Sequence, residues 1–266
     1  IDKADEAAIT AAHAALPADL AVRSAPAAGT EPGALAAYRA GSLAFFGAGR
    51  LAGLRVGVYQ HSSVARDLIV EILRGLGAEV LPLGRAADFV PVDTEALRAE
   101  DIALLAGWGA EHALDAIVST DGDADRPLIA DAAGRFVRGD LVGAITAAWL
   151  GADRIVVPVT ANSGLEPSGR FGGVIRTRVG SPYVIAGMAA AAAAGARCVV
   201  GFEANGGVLL GSEVVRDGRR LAALPTRDAM LPILACLTSV ADDARPLAEI
   251  AAGFGFRAAV SDRLPE

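Results

Sequence analysis

The 266-residue sequence predicts an α/β protein built from two successive α/β domains, each with a mixed sheet covered by helices. Three observations predict this. Short β-branched runs alternate with segments of helical periodicity from residue 54 onward. The alternation stops and starts again near residue 150. The chain, 53% hydrophobic, is long enough to bury one large core or two modest ones, and two domains of ordinary size is the better reading. We place the divisions at 35–150 and 151–258, with residues 1–34 before them and 259–266 after.

Residues 1–16 read as an amphipathic helix ended by Pro17, and the stretch carrying Pro26, Gly29, Pro32 and Gly33 as a linker. A helix is expected from Leu35 to about Phe46, then a strand over "LRVGVYQ" (54–60). Apolar residues at 64, 68, 69, 72, 73 and 76 predict a helix over 62–78, with Ser62 or Ser63 as its N-cap and Gly75 or Gly77 as its stop. "AEVLPL" (78–83) is a strand, 93–112 mostly helix, "LDAIVST" (114–120) a third strand, 127–137 hairpin-like and 139–151 a helix. In the second half, 153–160 and 172–179 are strands and 181–195 a helix, its Ala189–Ala194 run being strongly helix-forming. A strand over 196–203 and a helix near 226–241 complete the plan.

Composition excludes some classes of function. The net charge of −7 leaves no basic surplus to neutralise a nucleic-acid backbone. Cys198 and Cys236 sit in apolar surroundings without CxxC spacing, as free thiols of a reducing compartment do. Arg, Asp or Pro interrupts the longest apolar runs, so no membrane span is expected. No secretory signal is visible, and a cytoplasmic location follows. The opening at Ile1 in mid-helix and the loop-like close "AAVSDRLPE" read as a piece of a longer protein.

Two stretches carry chemistry. In "STDGDADRP" (119–127), Asp121, Asp123 and Asp125 follow the third strand at every second position. Alternate side chains of an extended segment share a side, so the three carboxylates can converge where open α/β sheets place ligands. Three close anions repel unless a cation sits among them, and a hard divalent ion, Mg²⁺ first, suits oxygen donors. An EF-hand would need Gly at the sixth position and Glu at the twelfth, where Arg126 and Ala132 stand. A phosphatase DxDx[ST] loop would not carry Asp125, and a plain acidic turn does not explain a third aspartate in register. Arg126 can reach an anion bound to the same metal, which points to phosphate. In "GFEANGGVLLG" (201–211), Glu203 and Asn205 at a strand end could grip adjacent sugar hydroxyls, with Gly206 in the tight turn between strands. Taken alone, this second stretch also reads as an ordinary β-turn.

Together, "TDGDADR" and "GFEANGG" resemble the α-D-phosphohexomutases, the phosphomannomutase and phosphoglucomutase family, over about residues 35 to 260. "GVYQHSSVARDLIVEILRGLGAEV", "RTRVGSPYVI" and "LPTRDAMLPIL" agree with that family's second and third domains. The resemblance implies Mg²⁺ on Asp121, Asp123 and Asp125, phosphate beside Arg126, and sugar hydroxyls on the loop of Glu203, Asn205 and Gly206. It implies hexose phosphate and hexose 1,6-bisphosphate as ligands, mannose first and glucose second. It also implies that residues 1–34 are the tail of a first domain with its linker, and 259–266 the approach to a fourth. The family's phosphoserine lies in a TASHNP-like loop that does not occur here, so no catalytic residue is assigned and little or no mutase activity is expected of this chain alone. Asn205 stands where many members have Ser. Arg176 and Arg178 are candidates for the third domain's basic residue by position only, His61 is a marginal candidate for contact with the site, and Trp108, Trp149 and Tyr183 are read as packing. His13 and His112 have no metal-ligand spacing. The alternative is a non-catalytic Mg²⁺- or sugar-phosphate-binding module. The sequence assigns no oligomeric state.

Overall fold

The structure, a computed structural model, describes residues 3–17, 20, 29 and 31–259. Pro26 of the expected linker and the terminal "SDRLPE" lie outside the described residues. Residues up to Tyr38 form a unit by themselves, holding α1 (Lys3–Ala14) and the first turns of α2 (Pro32–Phe46). The remainder, from Arg39, is a second unit that carries both α/β layers.

The first sheet has the order β2-β1-β3-β4. β1 (Arg55–Tyr59), β2 (Glu79–Leu83) and β3 (Ala116–Thr120) are parallel, and β4 (Pro127–Asp131) returns antiparallel beside β3. β3 and β4 are buried throughout, which is why they read as continuous small and apolar runs rather than alternating ones. α3 (Arg66–Gly75) turns Ile69, Val70, Ile72 and Leu73 inward, and α4 (Ala99–Glu111) seats Leu105 in a smaller cluster with Tyr59, Leu114 and Ile117.

In the second sheet the order is β11-β8-β7-β5-β6. β5 (Arg154–Pro158), β6 (Val174–Thr177) and β7 (Val199–Phe202) are parallel, while β8 (Val208–Leu210) and β11 (Leu224–Asp228) add antiparallel strands. α6 (Ser181–Ala193) packs on β5, β6 and β7. α7 (Met230–Asp243), α5 (Gly139–Leu150) and the short α8 (Leu247–Ala252) pack together. A two-stranded ribbon, β9 (Val214–Arg216) with β10 (Arg219–Leu221), turns through Asp217 and Gly218, both at positive φ as a two-residue hairpin loop requires.

One large apolar core joins the layers. It contains Val56, Val58 and Ile129 of the first sheet and Ile155, Val157, Val200 and Phe202 of the second. α5 lies between them, touching β4, β7 and α7, with ten of its twelve residues buried. Gly143 lets it approach, since a Cβ there would run into the Phe202 ring. Each large side chain buried in this core contributes roughly 1.5–3 kcal/mol.

Several elements depart from the sequence expectation. Ser62 and Ser63 do not cap α3: its N-cap is Ala65, with no side-chain cap bond. Ser62 Oγ bonds both backbone groups of Val90, and Ser63 Oγ is drawn toward Thr120. α4 starts at Ala99 rather than 93, because Thr94 is spent on a long-range bond and Asp93 Oδ1 accepts the Glu95 N–H in a local turn. The expected helix near 226–241 begins at Met230. Residues 224–228 are instead the strand β11, and Asp228 Oδ1 accepts the Met230 N–H. Among the described residues no helix is long and apolar enough to cross a membrane.

Candidate metal and sugar-phosphate site

The acidic loop closes the β3–β4 hairpin, whose last pair is Thr120 with Pro127. The Asp121 N–H donates to Arg126 O at 3.0 Å, and the Arg126 N–H donates to Asp121 Oδ1 at 3.2 Å. Ala124 takes a left-handed conformation, φ 64°. The carboxylates therefore converge by a tight turn, not by the extended alternation that the spacing suggests. One oxygen of each of Asp121, Asp123 and Asp125 lies within 4.8 Å of the other two.

The loop between β1 and α3 holds this turn from below. His61 Nε2–H donates to Thr120 O at 2.7 Å, a carbonyl being able only to accept. The Thr120 hydroxyl donates to Asp121 O at 2.9 Å, which leaves Ser63 Oγ as the donor in its 2.6 Å bond to Thr120 Oγ1. The Val64 N–H donates to Gly122 O at 3.1 Å. His61 is fully buried, and burial lowers its pKa, so it stays neutral beneath the loop. Its contact is with the backbone of the loop, through Thr120.

Burial is the main reason that the Asp121 carboxyl is pushed up to about 6, with the charges of Asp125 and Asp123 adding to it. Arg126 Nε stands 3.5 Å from Asp125 Oδ1 and 3.6 Å from Asp121 Oδ2, an ion-pair separation rather than a hydrogen bond. Asp125 Oδ1 is buried without a hydrogen-bond partner. Three convergent oxygen donors, one of them orphaned, fit a hard divalent cation such as Mg²⁺.

The 203–207 turn faces this loop. The Glu203 N–H donates to Gly207 O at 3.0 Å, the Gly206 N–H to Glu203 O at 3.1 Å, and the Gly207 N–H to Asn205 Oδ1 at 3.0 Å. Gly206, φ 91°, lies against Pro127 and Gly139, and a Cβ on Gly139 would collide with the backbone of the turn. The Thr94 hydroxyl donates to Asn205 O at 2.9 Å. Glu203 is buried and accepts from Ser181 Oγ at 2.9 Å. Arg227, from β11, spans the two loops: Nη2 pairs with Asp125 Oδ2 at 2.6 Å, and Nη1 lies 3.7 Å from Glu203 Oε2.

The structure thus brings Asp121, Asp123, Asp125 and Arg126 together and sets Glu203, Asn205 and Gly206 alongside. Sequence reasoning missed Arg227, Thr94, Ser181 and Gly139. Arg227 carried a signal, an arginine before an aspartate at a strand end, hidden by assigning its segment to a helix. Arg176 is occupied structurally, bonding Glu166 and the carbonyls of Ala161 and Asn162. Arg178 lies over the Tyr183 ring. Trp149 stacks on Phe46, and Trp108 meets Tyr59 edge-on.

Two α/β/α layers, one presenting a carboxylate cluster able to hold a metal ion and the other a glutamate turn beside it, define the class of protein. The particular family follows from comparison with known proteins. Residues 41–134 match alpha/beta/alpha domain II of phosphoglucomutase/phosphomannomutase, and residues 138–254 match domain III. The chain belongs to this family. It is 48% identical to a phosphomannomutase of Sinorhizobium fredii (strain NBRC 101917 / NGR234), over 99% of this chain and 56% of that protein. It is 34% identical to a phosphoglucosamine mutase of Symbiobacterium thermophilum, over 76% of this chain and 43% of that one. A phosphoglucomutase/phosphomannomutase family protein of Burkholderia thailandensis shares the fold at TM-score 0.60 and 20% identity, over 80% of this chain and 46% of that one. The chain spans about half the length of these relatives.

Proposed function

We propose that this chain supplies the metal-binding and sugar-binding parts of a phosphohexomutase that interconverts hexose 6-phosphate and hexose 1-phosphate. In this reading a phosphoserine elsewhere in the enzyme gives its phosphoryl group to the free hydroxyl of the hexose monophosphate. The 1,6-bisphosphate so formed returns its other phosphoryl group to the serine. The observation that carries the reading is the approach of three aspartates within 4.8 Å on the loop matched to domain II, with Glu203 of domain III joined to them through Arg227.

Asp121, Asp123 and Asp125 would hold Mg²⁺, which when bound offsets the negative charge of phosphoryl transfer. Arg126 would pair with the phosphate beside it. Glu203 and the Asn205–Gly206 turn would hold the sugar hydroxyls; Ser181 orients Glu203 for this, and the Thr94 bond fixes the height of the turn. Residues 35–150 carry the metal part and 151–258 the sugar part, with α5 packed against both. The ligands are a hexose phosphate and its 1,6-bisphosphate, mannose being the first choice because a phosphomannomutase heads the relatives described above. The enzyme would work in the cytoplasm, without nucleic-acid or membrane partners. No TASHNP-like stretch occurs in the 266 residues, so this chain alone should show little or no mutase activity.

Calorimetric titration with MgCl₂ tests the reading, on this chain and on Asp123→Ala. Binding that disappears in the variant supports the triad as the metal site. Binding that survives in Asp123→Ala, or none in either protein, removes the ground for the mutase assignment to these residues.

A further inference from the structure

Arg227 faces a carboxylate of each of the two loops. It stands on β11, whose pairing with β8 shifts register between Leu224 and Asp228. Such an irregularity re-aims side chains. The aliphatic part of Arg227 lies over Gly207, where a Cβ would press on its Cγ and Cδ, so the absence of a side chain there admits the arginine. From this position the guanidinium takes Asp125 Oδ2 at 2.6 Å while remaining 3.7 Å from Glu203. Asp125 offers its unpartnered Oδ1 to a cation bound by the triad and its Oδ2 to Arg227, and the two positive charges repel across one carboxylate, so each lowers the affinity of the other.

We propose that Arg227 is a positioning residue that couples the metal loop to the 203–207 turn: when a divalent cation takes Asp125, the guanidinium shifts its pairing to Glu203. This rests on the metal-site reading given above. The shift is short, because Nη1 already lies close to Glu203 Oε2 and the arginine stem is held over Gly207. Glu203 gains a charged partner in addition to the Ser181 hydroxyl, and its carboxylate is then fixed from two sides. Occupancy of the metal loop is in this way read at the turn that faces the sugar.

The test is Mg²⁺ titration, without any sugar, of the whole chain and of Arg227→Met, Arg227→Lys, Glu203→Gln and the double variant Arg227→Met/Glu203→Gln, with Asp123→Ala as reference. Arg227→Met should bind Mg²⁺ about fivefold more tightly, since a partly buried guanidinium on the same carboxylate no longer repels the cation. Arg227→Lys keeps the charge without the fork that spans both carboxylates, and should fall between the two. Glu203→Gln should weaken Mg²⁺ binding, because the displaced guanidinium loses its second acceptor, and this effect should vanish in the double variant. A general field effect would give Glu203→Gln the same consequence with or without Arg227, and that outcome overturns the coupling. Unchanged affinity in Arg227→Met overturns it as well. Thermal unfolding of each variant separates loss of fold from loss of coupling. If Mg²⁺ binding survives in Asp123→Ala, the metal-site reading itself fails and the coupling with it.

Discussion

Asp121 combines the strongest burial of the three loop carboxylates with the largest number of bonds into the loop. Its folded pKa is raised to about 6, above the usual carboxylate value, so the fold favours the protonated form. Stability contributed by that group is present at low pH and declines as pH rises through about 6, whereas Mg²⁺ needs the ionised form. Mg²⁺ affinity should therefore drop by up to about tenfold per pH unit below about pH 6 and level off above it, measurable by calorimetry in a non-chelating buffer. An affinity constant from about pH 5 to about pH 7 would contradict this. His61 acts one step away: His61→Ala removes the donor to Thr120 O and opens a hole under the loop. It should weaken Mg²⁺ several-fold while leaving far-UV circular dichroism unchanged. At this scale the sequence spoke clearly about the aspartates, because their chemistry is a local pattern. It said little about His61 and Arg227, whose roles depend on partners 59 residues away in one case and on Asp125 and Glu203 in the other.

Among elements, the 203–207 turn depends most on what lies beneath it. Gly139 opens α5 directly under the turn, and any side chain there meets the backbone of residues 204–206. Gly139→Ala should destabilise the protein by about 1–3 kcal/mol in urea denaturation, the usual range for overpacking. An unchanged midpoint would mean that the turn is free to lift. The parallel strands and long helices were legible because apolar periodicity is written along a continuous stretch. β11 was not: it is short, exposed over much of its length and paired irregularly, so "LPTRD" shows neither alternation nor an apolar run. The β9–β10 ribbon had a readable "DG" turn but only three residues per strand. Ser62 and Ser63 misled for a different reason. A serine before an apolar-periodic segment is a good N-cap by local rules; here a long-range pair of bonds to Val90 holds the Ser62 hydroxyl, and the Ser63 hydroxyl joins Thr120 to the Ala65 N–H ahead of the helix.

For the whole molecule, the shared core makes the two family domains one thermodynamic object. Val56 and Val58 on one sheet and Val157 and Phe202 on the other belong to a single apolar cluster, with α5 between them. The part from Arg39 should unfold in one cooperative transition, with matching calorimetric and van 't Hoff enthalpies, rather than in two steps. Cys236 offers an independent probe. It is fully buried in α7 and its thiol is pushed up to about 12 by burial, so disulfide reagents should modify it only at the rate of global opening. Cys198, half-buried, should react sooner.

The burial of α5 on nearly every side also bears on how such chains can be recombined. A chimera joining the first layer of one relative to the second layer of another meets foreign surfaces along this helix wherever the crossover falls. A junction in the turn at residues 132–135 would carry α5 intact with α7 and Phe202, its most extensive neighbours, and along this helix ask β4 and the Phe45–Phe46 end of α2 to accept new partners. A junction after Leu150 would instead set a borrowed α7 and Phe202 against the native Gly143 surface. Chimeras should therefore fold when the splice precedes α5, and yield poorly folded protein by circular dichroism when it follows.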